Sequence, residues 1–143
     1  VDEITENYPE ITIVDIAYEP INEEQPSTFE KISTVLEAYP NLKGYFGTNE
    51  GMSVEILNAL KEAENANVKV IGFDLGEVQE EAIRAGLEAG TVSQNPYGMG
   101  YATTVAAVRA ILHMQNDSFI DAGYAWIDQN TIDLEENTKY LYE

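Results

Sequence analysis

Gly44 to Glu50 reads GYFGTNE, and Val70 to Gly76 reads VIGFDLG. Each is a short apolar run that meets a glycine and then delivers a polar side chain, Asn49 in the first and Asp74 in the second. An apolar run of that length bounded by turn residues is a buried strand, and the residues after it open a helix. Met52, Ile56, Leu57, Leu60 and Ala63 follow the first run at helical spacing. After the second, Val78, Ala82, Ile83 and Ala85 to Leu87 mark another helix, closed by Gly86 or Gly90.

The same unit extends in both directions. Upstream, Ile11 to Tyr18 (ITIVDIAY) is rich in β-branched residues, lies between Pro9 and Pro20, and suits a strand. Ser27 then caps a helix with Phe29, Ile32, Val35, Leu36 and Tyr39 along one stripe, ending before Pro40. Downstream, Thr91 to Ser93 is a short strand, and NPYGMGY turns into a helix from about Gly100 to Met114. Tyr124 to Ile127 is the last apolar segment. Strands alternating with amphipathic helices predict an α/β fold: an open, mostly parallel sheet with helices on both faces and right-handed crossovers.

A chain of 143 residues is one domain's worth. With 26 acidic against 7 basic residues its formal charge is -19, a field that repels phosphate backbones, so no nucleic acid partner is expected. The absence of Cys removes disulfides and thiolate chemistry. No calcium loop of the DxDxDG kind is present, and neither a metal site nor a cofactor is expected.

In an open parallel sheet the strand C-termini share one crevice, so Asp15, Tyr18, Asn49, Glu50, Asp74 and Gln94 are candidates to line it. A carboxylate with two amides suits a neutral ligand with adjacent hydroxyls, because the carboxylate accepts from two of them while an amide gives and takes. The set is poorly equipped for catalysis. The single histidine, His113, lies far from every strand end, and Ser93 has no neighbouring base. Each of these residues also has a structural reading: Asn49 and Asp74 as helix caps, Gln94 and Asn95 as partners of turn backbone.

YPNLKGYFGTNEGMSVEILNALKEA (39–63), VKVIGFDLGEVQEEAIRAGLEAGTVSQNPYGMGY (68–101) and WIDQNTIDLEEN (126–137) resemble the C-terminal part of ribose/galactose-type substrate-binding proteins of bacterial ABC importers, the type 1 periplasmic binding protein family. The resemblance implies two α/β lobes that close over a sugar, with no enzymatic activity. It implies ligand contacts from Asn49, Asp74 and Gln94, with Glu50, Tyr18 and Tyr97 in supporting positions. Glu50 stands where the family usually has Asp. A complete member is roughly twice as long, so the resemblance further implies that 1–94 form the second lobe without its first strand and helix. Residues 95–121 would then pack on a first lobe, and 122–143 return through a hinge.

The partners implied are a small neutral sugar, the first lobe, and the membrane permease of an ABC importer. Left without that lobe, a helix over 100–114 would bare Val105, Val108, Ile111 and Leu112, a face that invites self-association. Full-length members are exported to the periplasm or anchored outside the cell. The same fold serves as the effector domain of LacI-type regulators, but those carry a Pro-Leu-Thr-Thr run after GFD, where this chain has LGEVQ. An extracellular sugar-sensing domain of a signalling receptor is the other reading of these residues.

Overall fold

The computed structural model describes residues 1–65 and 67–141. Tyr142 and Glu143, the end of the segment expected to return over 122–143, lie outside them. In chain order the elements are α1 (Asp2–Asn7), α2 (Thr28–Ala38), β1 (Gly44–Phe46), α3 (Glu50–Glu62), β2 (Lys69–Phe73), α4 (Glu77–Arg84), β3 (Glu88–Gln94), α5 (Pro96–Ile111), β4 (Tyr124–Ile127) and a final 3-10 turn (Glu135–Tyr140). The sheet runs β1-β2-β3-β4, parallel between the first three strands and antiparallel between β3 and β4. It is open and mostly parallel, as the alternation predicts.

Local chemistry sets the helix boundaries. Ser27 accepts from the Glu30 N–H while the Glu30 carboxylate accepts from the Ser27 N–H, a reciprocal cap worth about 1 kcal/mol. Asn49 caps α3 and Asn95 caps α5. Pro96 at the first turn lets α5 start there, four residues before the expected Gly100, because its missing N–H has no helical partner in any case.

Two buried clusters hold the sheet to its helices. Ile32 and Leu36 of α2 meet Ile56, Ala59 and Leu60 of α3 over Val68 and Val70. Leu75 and Ile83 meet Ile127 and Ile132 at the other end. Residues of α2, α3 and α4 thus converge on the face of the sheet that carries Val70 and Ile127. On the opposite face Phe46, Ile71 and Trp126 stay 52, 39 and 46% exposed. Among the described residues, helices are packed on one face only.

Several expectations need correction. Ile11 to Tyr18 forms no strand: it has no ladder partner among the described residues, and Ile11, Ile13, Val14, Ile16 and Tyr18 are exposed. Its composition suits a strand, but a strand exists only with a neighbour, and this stretch is held instead by side chains, Tyr39 Oη donating to the Val14 carbonyl and Lys31 Nζ to the Tyr18 carbonyl. Val78, Leu87 and Ala63 are exposed, whereas Gln79 and Ser53 are completely buried. β3 begins at Glu88, three residues before the expected Thr91. The turn-like Glu-Ala-Gly run pairs after all because Gly90 leaves room for the Trp126 ring, which a Cβ there would meet at 2.4 Å.

Candidate functional site

Because β1, β2 and β3 are parallel, their C-terminal ends lie along one edge, and Asn49, Asp74 and Gln94 stand there. Asp74 follows β2 with a φ of 64°, the left-handed region that Asp tolerates better than most residues. Its backbone is fastened on both sides: its N–H donates to the Val92 carbonyl (2.9 Å), and its carbonyl accepts from Thr91 Oγ1 (2.7 Å). That turn aims the carboxylate along the edge, where Gln94 Nε2 donates to Asp74 Oδ1 at 2.8 Å. Both side chains are half-buried.

Asn49 is tied differently. Its Oδ1 accepts from the Met52 N–H (2.8 Å) as the cap of α3, and its Nδ2 donates to Glu19 Oε1 (3.2 Å). Among the described bonds it has none to Asp74 or Gln94. The structural reading of Asn49 as a helix cap is therefore correct, and the cap leaves the side chain exposed at the same edge.

Three groups link the two strand ends, the buried Ser53 and Thr91 and the exposed Glu50, and for Ser53 and Thr91 no local pattern announces the role. Ser53 Oγ donates to the Asn49 carbonyl (2.9 Å) and accepts from the Phe73 N–H (3.3 Å), joining the start of α3 to the end of β2. It reaches that position because Gly47 has no side chain: a Cβ there would fall 2.4 Å from Ser53 Oγ and 2.8 Å from its Cα. Thr91 joins β3 to the Asp74 turn. Glu50, the third, lies with its carboxylate over Gly76. Gly47→Ala is expected to cost about 2 kcal/mol or more of stability, since the clash is with backbone as well as with the hydroxyl; urea unfolding of the variant beside the parent measures it, and an unchanged midpoint contradicts the fit.

Of the supporting residues, Tyr18 adjoins Glu19, the partner of Asn49, and is 76% exposed. Tyr97 is 72% exposed in the first turn of α5. Asn95 has a structural role, since its Oδ1 accepts from the Gly98 N–H and its Nδ2 donates to the Ala122 carbonyl at 2.8 Å, clipping the outgoing and returning segments together. Open hollows of about 550 and 640 Å³ lie along residues 11–26 and against α1 and α2. Neither is lined by Asn49, Asp74 or Gln94.

The arrangement offers a carboxylate steadied by an amide, with a second amide along the same edge. A carboxylate and two amides can together accept from and donate to the hydroxyls of a neutral ligand.

Comparison with known proteins agrees with the fold. The chain is 36% identical over 84 residues to the D-apiose import binding protein of Actinobacillus succinogenes, a match covering 59% of this chain and 26% of the relative. A solved ABC transporter solute-binding protein from Agrobacterium vitis with bound D-fucose superposes with a TM-score of 0.77 at 30% identity, over 80% of this chain and 40% of that one. A carbohydrate transporter solute-binding protein from Agrobacterium radiobacter, in complex with D-arabinose, gives a TM-score of 0.87 at 24% identity, over 99% of this chain and 48% of that one. The chain thus spans less than half the length of these relatives. Residues 1–114 match the periplasmic binding protein domain, and the chain belongs to that family.

Proposed function

We propose that the chain is the second lobe of a solute-binding protein of a bacterial sugar ABC importer and that it contributes Asn49, Asp74 and Gln94 to the binding of a neutral monosaccharide or polyol. The observation that carries this reading is the Gln94–Asp74 bond at the shared edge of parallel strands, with Asn49 on the neighbouring strand end. The D-fucose and D-arabinose in the related structures support the ligand class. Two lobes closing over the sugar would remove water from these groups and strengthen each hydrogen bond, and ligand binding would select the closed state. A membrane permease that recognises the closed form is the partner in this reading, and the periplasm or cell exterior the place.

Exposure and handedness support this lobe organisation. No residue of α5 is buried, and Tyr101, Val105, Val108, Ile111 and Leu112 are all exposed, which suits a 95–121 segment, helical only over α5, that packs on a first lobe. Right-handed crossovers that step from Ile11–Tyr18 to β1, β2 and β3 in one direction place α2, α3 and α4 on one face. Covering Phe46, Ile71 and Trp126 takes a crossover running the other way. A preceding strand seated between Ile11–Tyr18 and β1, followed by a helix that ends in α1, supplies it. Such a strand would also give Ile11–Tyr18 its missing neighbour. The pairing of β4 (Tyr124–Ile127) with β3 supports a return of the chain to this lobe after residue 121.

Titration calorimetry with a panel of pentoses, hexoses and polyols tests the proposal. The two-lobe protein is expected to bind at least one of them, and the isolated chain to bind weakly and to self-associate through α5 in sedimentation. Failure of the two-lobe protein to bind any neutral sugar overturns the assignment.

A further inference from the structure

Glu50 is the first residue of α3, directly after the Asn49 cap, yet its carboxylate lies against a different helix. A Cβ built on Gly76 would fall 2.0 Å from Glu50 Oε1, 2.8 Å from Cδ and 3.6 Å from Oε2, so the carboxylate occupies, Oε1 first, the space that a side chain at position 76 would need. Gly76 is buried although it begins a surface helix. It is the N-cap of α4 and has no side chain with which to cap it. The first turn of a helix carries partial positive charge and unpaired N–H groups, and a carboxylate placed there is favourable.

Glu50 and Gly76 are therefore a matched pair: an acid long enough to cross from α3 to α4 fits only where position 76 lacks a side chain. The geometry of Gly76, φ -90° and ψ 173°, is one that any residue adopts. Glycine is needed there for space and not for backbone conformation. The pair also spans the site, because Glu50 adjoins Asn49 and Gly76 lies two residues beyond Asp74.

We infer that Glu50 is a positioning residue of the sugar site, holding Asn49 and Asp74 at a fixed separation by resting on Gly76. The inference rests on the sugar-binding reading above. It also gives a physical sense to Glu50: the longer acid reaches a neighbouring helix start that a shorter one would not.

Calorimetry on the two-lobe protein, with a sugar that the parent binds, tests this with Glu50→Asp, Gly76→Ala and the double variant. Measurements are made far below the unfolding midpoint, so that a loss of stability alone leaves affinity untouched. Each single change is expected to weaken binding about three- to fivefold, the size of a carboxylate's interaction with a helix start. The double variant is expected to bind no worse than the weaker single, because both changes break one contact. Losses that multiply, or single variants with parental affinity, overturn the inference while leaving the sugar reading intact. A parent that binds no sugar removes the reading and the positioning role together.

Discussion

Asp74→Ala in the two-lobe protein is expected to weaken sugar binding by at least about 100-fold. Hydrogen bonds to a charged group contribute about 1.5–3 kcal/mol each, so a carboxylate that takes two hydroxyls in a closed cleft supplies roughly 3–6 kcal/mol, and about 3 kcal/mol already corresponds to two decades in affinity. The change also strands the Gln94 amide, which now donates to Asp74 Oδ1. Folding should respond differently. The φ of 64° costs Asp a little and Ala more, whereas glycine adopts it without strain. Asp74→Gly is therefore expected to lose binding as completely as Asp74→Ala while unfolding at the same or a higher denaturant concentration. Calorimetry and urea unfolding on both variants separate the effects, and parental affinity in Asp74→Ala removes this residue from the site.

Much of this arrangement was legible in the sequence, and what was not has a common physical origin. The amphipathic helices announce themselves because their packing partner lies on one side, so Ile32, Val35, Leu36, Ile56 and Leu60 recur with the helical period and are buried. The placement of Asn49, Asp74 and Gln94 at one edge follows from parallel pairing alone, since polar residues just past parallel strands must share an edge. Pairing itself is not local. Nothing within Ile11 to Tyr18 reveals that its neighbour is lacking, and the stretch reads as a strand while making no ladder.

The polar interior was equally hidden. Gln79 and Glu88 look like surface residues of α4 and of a turn, and Val78 and Leu87 beside them like core, yet the burial is reversed. The inversion is caused by Gly72, which lies on the next strand and leaves a space that polar side chains fill. The buried link made by Ser53 is hidden for the same reason, since its place depends on Gly47, six residues before it.

The buried pair leads to the other large expected effect. Glu88 is 1% exposed and Gln79 fully buried, and Gln79 Nε2 donates to Glu88 Oε1 at 3.1 Å. Gly72 makes the space for them: a Cβ there would sit 2.2 Å from Glu88 Oε1 and 2.4 Å from Gln79 Nε2. Among the described residues, Glu88 Oε2 and Gln79 Oε1 are buried without a hydrogen-bond partner. One amide donor does not compensate an ionised carboxylate for leaving water, so burial pushes the Glu88 acid up to about 7, against 4.5 in an exposed chain, with the Gln79 bond pulling weakly the other way. The folded state consequently binds a proton that the unfolded state has released. Stability from this group is present in full below pH 4.5 and is lost as pH rises through about 7, a change of about 3 kcal/mol. Glu88→Gln keeps the acceptor for Gln79 Nε2 and cannot ionise, so the variant should show a correspondingly flatter stability curve between pH 5 and 8 and exceed the parent at the upper end. Trp126 is the single tryptophan, packed over Gly90 two residues along the same strand, and its fluorescence reports the unfolding. Parallel pH profiles for parent and Glu88→Gln would mean that Glu88 carries its charge in the fold, and that the pair below Gly72 is hydrated and not dry.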